Sequence, residues 1–122
     1  MGYRSEVCIA LTDAAARLLR TIEEHLPENS DLRSLLRDSE GDYRDTPPPH
    51  EFKELASYES KLYWGGLKWY EGFKEVSDLI GFLENICPTN YRFVRVGEDL
   101  DDVEEHGEFY DSEVYVHRSI SW

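Results

Sequence analysis

The sequence predicts an α+β fold, a single domain over residues 1–122 whose helices cover one face of a four-stranded mixed sheet. The length of 122 residues is about that of one domain. Hydrophobic residues make up 40% of the chain and aromatic residues 13%, which is enough to build a core. Some segments alternate apolar and polar residues as strands do, and others repeat apolar residues at helical spacing. In chain order they predict β-α-β-α-β-β with a small extra helix.

The start of the chain predicts a strand and two helices. Residues 7–11 alternate large and small apolar side chains, which is typical of a strand. A helix is predicted over residues 14–26, because its larger apolar side chains share one face. Thr12 and Asp13 both offer a cap for the first turn of this helix, and Pro27 ends it. The small extra helix should follow over residues 30–37.

The middle of the chain combines a polar loop with a strand that glycines interrupt. Residues 38–50, which include three consecutive prolines, are predicted to form a flexible loop, with a helical turn at 51–56. Residues 58–70 alternate as a strand does, but the parity of the apolar positions changes at Gly65 and Gly66. Such a change requires a β-bulge or a tight hairpin turn. We expect a single bulged strand.

The last part predicts a long helix and a hairpin. Residues 73–86 place their larger apolar side chains on one helical face and stop before Pro88. Residues 91–96 predict a strand, and residues 114–122 alternate as a final strand that pairs with it. Arg118 falls on the apolar parity of that final strand. It is therefore expected at a sheet edge or beside a carboxylate.

Net charge separates the classes of partner that this chain can bind. Twenty-six Asp and Glu residues against thirteen Lys and Arg residues give a formal net charge of -13. Such a surface repels nucleic acid and anionic membranes, because both require clustered basic residues. It attracts basic protein surfaces, including those that normally hold DNA or RNA. Composition alone leaves open whether the acidity serves binding or only solubility.

The acidic residues are concentrated near the C-terminus. Residues 97–113 contain nine Asp and Glu residues and no Lys or Arg. Like charges this close repel one another and are relieved by a cationic partner. This segment is either a binding surface for a basic groove or a solvated hairpin connection, and weak binding of a divalent metal ion is a further alternative. The predicted partner-binding carboxylates are Glu98, Asp99, Asp101, Asp102, Glu104, Glu105, Glu108 and Asp111.

Aromatic residues in the bulged strand supply further interface candidates. Trp64 and Trp69 share the parity of the neighbouring leucines and are predicted to be in the core. Tyr63 and Tyr70 should face outward. They are therefore added to the predicted partner-binding residues, since tyrosine is enriched where interfaces bind tightly.

The two cysteines and the N-terminal sequence indicate in which cell compartment the protein is expected. Cys8 and Cys87 are expected to be buried free thiols, because a disulfide framework would use more cysteines. No apolar stretch is long enough to span a bilayer, and the N-terminus lacks the apolar core of a signal peptide. We expect a cytoplasmic protein.

No pattern in the sequence indicates catalysis or a cofactor. The histidines are scattered, and neither they nor the cysteines have the spacing of a zinc site. Starting from Asp99 or Asp101, the acidic segment does not match an EF-hand loop. His117 could approach Cys8 across the sheet, but an outward-facing strand histidine is the simpler interpretation. The sequence therefore predicts no catalytic residue, no dedicated metal site, no cofactor and no enzyme activity.

Three blocks of the chain resemble small uncharacterised phage and prophage proteins. The blocks are residues 1–7 (MGYRSEV), 67–70 (LKWY) and 91–104, where YRFVRVGED is followed by DDVE. Such small acidic phage proteins include inhibitors of host defence, among them anti-CRISPR proteins that imitate DNA with carboxylates. The resemblance therefore implies an inhibitor role. The triple-proline loop has no counterpart in that pattern.

Together these observations predict an acidic phage-type inhibitor. It would dock its carboxylates on a basic, nucleic-acid-handling host protein or complex without itself binding nucleic acid. The alternative is a non-catalytic structural or accessory phage protein that acts as a homo-oligomer, for example a homodimer that pairs sheet edges.

Overall fold

The computed structural model describes residues 2–45, 59–99, 101–117 and 119–121, without the side chains of 44, 45, 59 and 115–121. These described residues form six strands, three α-helices and several short 3-10 helices. In chain order the strands and α-helices are β1 (Ser5–Thr12), α1 (Asp13–Glu24), α2 (Asp31–Arg37), β2 (Glu59–Leu67), α3 (Lys74–Glu84), β3 (Tyr91–Gly97), β4 (Val103–His106), β5 (Tyr115–His117) and β6 (Ser119–Ser121). The α+β class is confirmed.

The main sheet has four strands in the order β2-β1-β3-β4, and every neighbouring pair is antiparallel. The predicted mixed sheet is therefore wrong. The connection from β1 contains α2 as well as α1, and β2 starts beside the end of β1, where Glu59 pairs with Thr12. β2 and β3, which α3 connects, run in the same direction, but β1 lies between them in the sheet. No parallel ladder forms as a result.

The expected bulge in the second strand is confirmed. β2 passes through both glycines as one strand, and its register against β1 shifts there. Val7 pairs with Trp64, but Ser5 pairs with Leu67, so β2 contains one more residue than β1 in this interval. The extra residue lets Trp64 and Leu67 pack against the same core although their parities differ.

The three helices cover one face of the sheet, as predicted. Thr12 caps α1 by accepting a hydrogen bond from the Ala15 N–H at 3.4 Å. The main core lies between these helices and the inward positions of the strands. Its fully buried members include Val7, Ile9, Leu11, Leu19, Leu36, Leu62, Val76 and Leu79.

A smaller cluster covers the opposite face of the sheet. Cys8, Ala10 and Val94 are completely buried there, and Val114 packs over them. The second face is covered as well because the chain after β4 folds back across β1 and β3. Burial raises the pKa of the Cys8 thiol to about 12. Cys87, in contrast, is exposed, so its predicted burial is wrong: it lies beyond the end of α3, before the turn into β3.

The identity of the fourth strand also differs from the prediction. β3 pairs with β4, which lies inside the acidic segment, where no strand was predicted. The C-terminal residues form a separate two-stranded sheet of β5 and β6. Nearness in sequence explains the pairing: a short turn suffices to bring residues 103–106 beside β3.

Two other predicted features are described only in part. Within the predicted loop at 38–50, Asp42–Asp45 form a 3-10 helix and Tyr43 is buried. Residues 46–50, the helical turn expected at 51–56, Arg118 and the side chain of His117 lie outside what the structure describes. Among the described helices, none has the length and apolar character needed to cross a bilayer.

Two adjacent leucines on α1 test the assignment of the main core. Leu19 is 1% exposed and Leu18 is 48% exposed. Leu19→Ala should lower the free energy of unfolding by about 2–5 kcal/mol, because it leaves a cavity. Leu18→Ala, the same change on the same helix, should cost less than about 1 kcal/mol. Urea denaturation measures both, and equal losses would contradict this packing.

Candidate functional site

The acidic segment forms one outer edge of the main sheet. The turn between β3 and β4 is closed by two backbone hydrogen bonds, from the Gly97 N–H to the Asp102 carbonyl at 2.8 Å and from the Asp102 N–H to the Asp99 carbonyl at 2.9 Å. β4 follows, and then residues 107–113 pass the start of β3, where the Phe109 N–H donates to the Tyr91 carbonyl at 3.1 Å. Because β4 is the last strand of this sheet, the carboxylates of the segment lie along its border and not on a single flat face.

A buried arginine holds β4 against the sheet. Arg95 lies on β3, is 9% exposed, and pairs in register with Glu104. Its Nη1 and Nη2 atoms donate to the two carboxylate oxygens of Asp102 at 3.1 and 2.6 Å, and its Nε donates to Glu104 at 2.6 Å. Nη1 also donates to the Ser5 hydroxyl at 2.9 Å. The fork geometry of the guanidinium therefore joins β1, β3 and β4 at one point.

The turn is held by the start of β1 as well. The Tyr3 hydroxyl donates to Asp102 at 2.7 Å and accepts from the Asp99 N–H at 3.0 Å. A side chain at Gly97 would collide with both Asp102 and Tyr3, because its Cβ would lie 2.2 Å from an oxygen of each. Hydrogen bonds from Arg95 and then from Tyr3 keep the pKa of Asp102 below its usual value. This carboxylate therefore stays ionised to lower pH than an ordinary aspartate.

A second arginine holds the opposite face of the edge. Arg92 donates to Glu105 at 2.6 Å and to the backbone carbonyls of Gly107 and Val114 at 3.3 and 3.4 Å. Its guanidinium carbon also lies 5.4 Å from the ring centre of Tyr110. The residues after β4 are therefore tied to β3 in the same way as the turn before it.

These contacts divide the predicted partner-binding carboxylates into two groups. Asp102, Glu104 and Glu105 form ion pairs with Arg95 or Arg92. Glu98 accepts a hydrogen bond from the Arg4 N–H at 2.9 Å. The other four are exposed, and their side chains have no hydrogen-bond partner within the described part of the chain. We call these four, Asp99, Asp101, Glu108 and Asp111, the acidic edge.

The two predicted tyrosines lie apart from the acidic edge. Tyr63 is half-buried on the second face of the sheet, where it packs against the smaller cluster and donates a hydrogen bond to Glu6. Burial, and then this carboxylate, raises the pKa of its hydroxyl. Tyr70 follows β2 and packs edge-on against Phe73, with ring centres 5.2 Å apart. Neither is an exposed anchor beside the carboxylates.

A groove lies between α3 and β4 on the helix face of the sheet. It encloses about 390 Å³. Trp69, Ile80, Leu83, Tyr91 and Phe93 form its walls and floor, and Glu71, Glu84, Glu104 and His106 are its polar lining. The three helices do not cover β4, which leaves this space open at the sheet border. The groove could not be predicted from the periodicity of apolar residues, because its lining comes from separate elements of the chain.

Other side chains that could bind a metal ion or react do not form a cluster among the described residues. Within the described residues, no three His, Cys, Asp or Glu side chains are arranged to hold a metal ion. A hydrogen bond with the Thr89 hydroxyl lowers the pKa of the exposed Cys87 thiol. His106 lies 3.3 Å from Glu104, whose other oxygen already accepts from Arg95.

The role of Arg95 as a buried, paired charge is indicated by its position in the sequence. Arg95 has the parity of Tyr91 and Phe93, so it points toward the core, and a charge there needs a partner. Carboxylates of the neighbouring acidic segment were the nearest candidates. Glu71 and Glu84 gave no such signal, because exposed glutamates around a helix are common.

Comparison with known proteins gives no further indication of the site's role. No protein-family model, curated protein or solved structure matches this chain.

Removing the buried arginine tests whether it holds the edge strand. Arg95→Met keeps much of the side-chain volume but removes the guanidinium hydrogen bonds to Asp102, Glu104 and Ser5. We expect the free energy of unfolding to fall by about 2–3 kcal/mol, less than for a fully buried pair because both carboxylates reach water. Lys74→Met breaks an exposed ion pair with Asp78 and should cost less than about 0.5 kcal/mol. Equal losses in urea denaturation would show that Arg95 is an ordinary surface arginine.

Proposed function

We propose that this protein binds a basic, nucleic-acid-handling host protein or complex through the acidic edge, and thereby inhibits it. One observation supports this most directly: four exposed carboxylates lie at the β4 border, and none of them pairs with a Lys or Arg side chain of the described residues. Unbalanced like charges raise the local potential, and a basic surface relieves it. The net charge of -13 adds long-range attraction to such a partner.

The structure of the border favours a pre-formed binding surface. Arg95 and Arg92 use three of the acidic residues to hold β4, so that the neighbouring free carboxylates are carried on a paired strand and its turns. A rigid surface loses less conformational entropy on binding than a disordered acidic tail would. In this proposal Asp102, Glu104 and Glu105 position the edge, and the four free carboxylates contact the partner.

The resemblance to small phage proteins suggests what kind of inhibitor this is. We propose an anti-CRISPR-like or other defence inhibitor whose carboxylates occupy phosphate sites of its target, so that DNA or RNA and this chain compete. Such a protein needs no catalytic residue and no cofactor of its own. The contact of Glu104 with His106 does not point to acid–base chemistry, because Glu104 is already held by Arg95.

Self-association through the same edge is less favoured. Within the described residues the outer side of β4 has no neighbouring strand, so a second copy could in principle pair with it. An antiparallel pair of β4 strands would, however, bring Glu104 and Glu105 of the two copies close together. Charged residues on an edge strand are a common way to prevent such pairing. The homodimer therefore remains the second candidate.

Capture of partners by two charge-matched variants tests the proposal. The edge variant neutralises the acidic edge with the isosteric amides: Asp99→Asn, Asp101→Asn, Glu108→Gln and Asp111→Asn. The control variant removes the same number of exposed charges away from β4: Glu24→Gln on α1, Asp31→Asn on α2, and Asp38→Asn and Glu40→Gln just after α2. From nuclease-treated bacterial lysate, the parent and the control should retain a nucleic-acid-binding protein that moderate salt releases. The edge variant should retain little of it.

Added duplex DNA should displace the captured protein from the parent chain without binding to that chain itself. If the edge variant retains the same proteins to the same salt concentration as the control, the acidic edge is not the binding surface. A column that retains nothing, together with a dimeric mass by light scattering, would favour the homodimer.

A further inference from the structure

We propose that the groove between α3 and β4 is a socket for one lysine or arginine side chain of a protein partner. This inference rests on the proposed function and adds to it the chemical group that the site recognises. It depends on the apolar walls, on the free carboxylates at the rim, and on two nearly buried side chains whose polar atoms have no hydrogen-bond partner among the described residues.

The walls of the groove suit the aliphatic part of a long cationic side chain. Trp69 and Phe93 lie with their ring centres 5.6 Å apart, and Leu83 is buried beside them. A lysine or arginine can bury its methylene groups on such a surface while its charge stays near water. Aromatic rings also attract a cation that lies over their faces.

The rim supplies negative charge that is not already used. Glu71 and Glu84 line the groove and are exposed, and neither side chain has a hydrogen-bond partner in the described residues. Glu104 also lines it but is paired with Arg95. An incoming ammonium or guanidinium group would therefore find Glu71 and Glu84 available, whereas an anion would be repelled by all three carboxylates.

Two nearly buried side chains that line the groove have polar atoms that no described protein group pairs with. Tyr91 is 9% exposed and Trp69 is 8% exposed. In the described part of the chain, neither the Tyr91 hydroxyl nor the Trp69 indole N–H has a hydrogen-bond partner. The indole N–H of Trp64, in contrast, donates to the Leu35 carbonyl at 3.0 Å.

Solvent reaches both polar atoms, so a ligand that enters the groove can replace their water with direct hydrogen bonds. The Tyr91 hydroxyl can accept a hydrogen bond from a cationic N–H group. The Trp69 N–H can donate to a main-chain carbonyl of the same segment. A peptide unit with a lysine or arginine side chain offers both complements, which neither a simple metal ion nor an apolar side chain does.

The test uses the indole N–H signals of the full chain in a proton–nitrogen NMR spectrum. N-acetyl-arginine amide is the probe, and N-acetyl-citrulline amide is its neutral counterpart of almost the same shape. The arginine probe should shift the Trp69 indole signal with a roughly millimolar dissociation constant. The Trp64 signal should stay in place as an internal control, because its N–H is already bonded.

Variants then separate charge from shape. Glu71→Gln with Glu84→Gln should weaken binding of the arginine probe roughly 3- to 10-fold, as expected for two partly exposed ion pairs. Glu24→Gln with Glu40→Gln, on the β2 side of the sheet, should leave the affinity unchanged. The proposal would be overturned if the arginine probe left the Trp69 signal unmoved or if the citrulline probe bound equally well. It would also be overturned if Glu71→Gln with Glu84→Gln left the affinity for the arginine probe unchanged.

These outcomes can be distinguished from failure of the proposed function. If the parent chain captures a basic protein at its acidic edge but the Trp69 signal ignores the arginine probe, the socket is wrong and the proposed function stands. If the probe binds as described but no basic protein is captured, the socket stands as a site and the proposed function is wrong.

Discussion

The hydrogen bonds of Arg95 are the interaction on which the acidic border depends. A guanidinium that is 9% exposed inside a sheet would be costly without partners, and here it has two carboxylates and a hydroxyl. Those partners come from β1, the turn before β4, and β4 itself. The strongly acidic segment therefore lies on the sheet because part of its charge is needed there. Without Arg95, Asp102 and Glu104 would repel each other and the neighbouring carboxylates.

This arrangement separates acidic residues that build the border from those that can bind. The paired carboxylates fix the position of β4, and β4 in turn forms one wall of the groove beside α3. The acidic edge and the groove are consequently two parts of one border. The acidic edge attracts a basic surface at long range, and the groove can recognise a single cationic side chain on contact. Their shared dependence on β4 links the fold to the proposed function.

Periodicity predicted much of this fold. The Thr12 cap, the helices and the bulge at Gly65 and Gly66 all follow from local rules, and the structure confirms them. The direction of β2 does not follow from such rules, because it depends on how the whole connection after α1 crosses the sheet. β4 was missed because its four residues are mostly charged and show no apolar alternation. The acidic segment was recognised as a candidate site, but which carboxylates are free depends on ion pairs across strands. The groove depends on the incomplete cover that α3 gives to the sheet, which no single segment encodes.

Hydrogen–deuterium exchange of this chain, alone and in complex with the protein it captures, tests the central claim most directly. If the border of β4 is the binding surface, amide exchange should slow in residues 97–113 and along α3, and should change little in α1 and β2. Slower exchange confined to α1 or to the β2 border, with residues 97–113 unchanged, would contradict the claim.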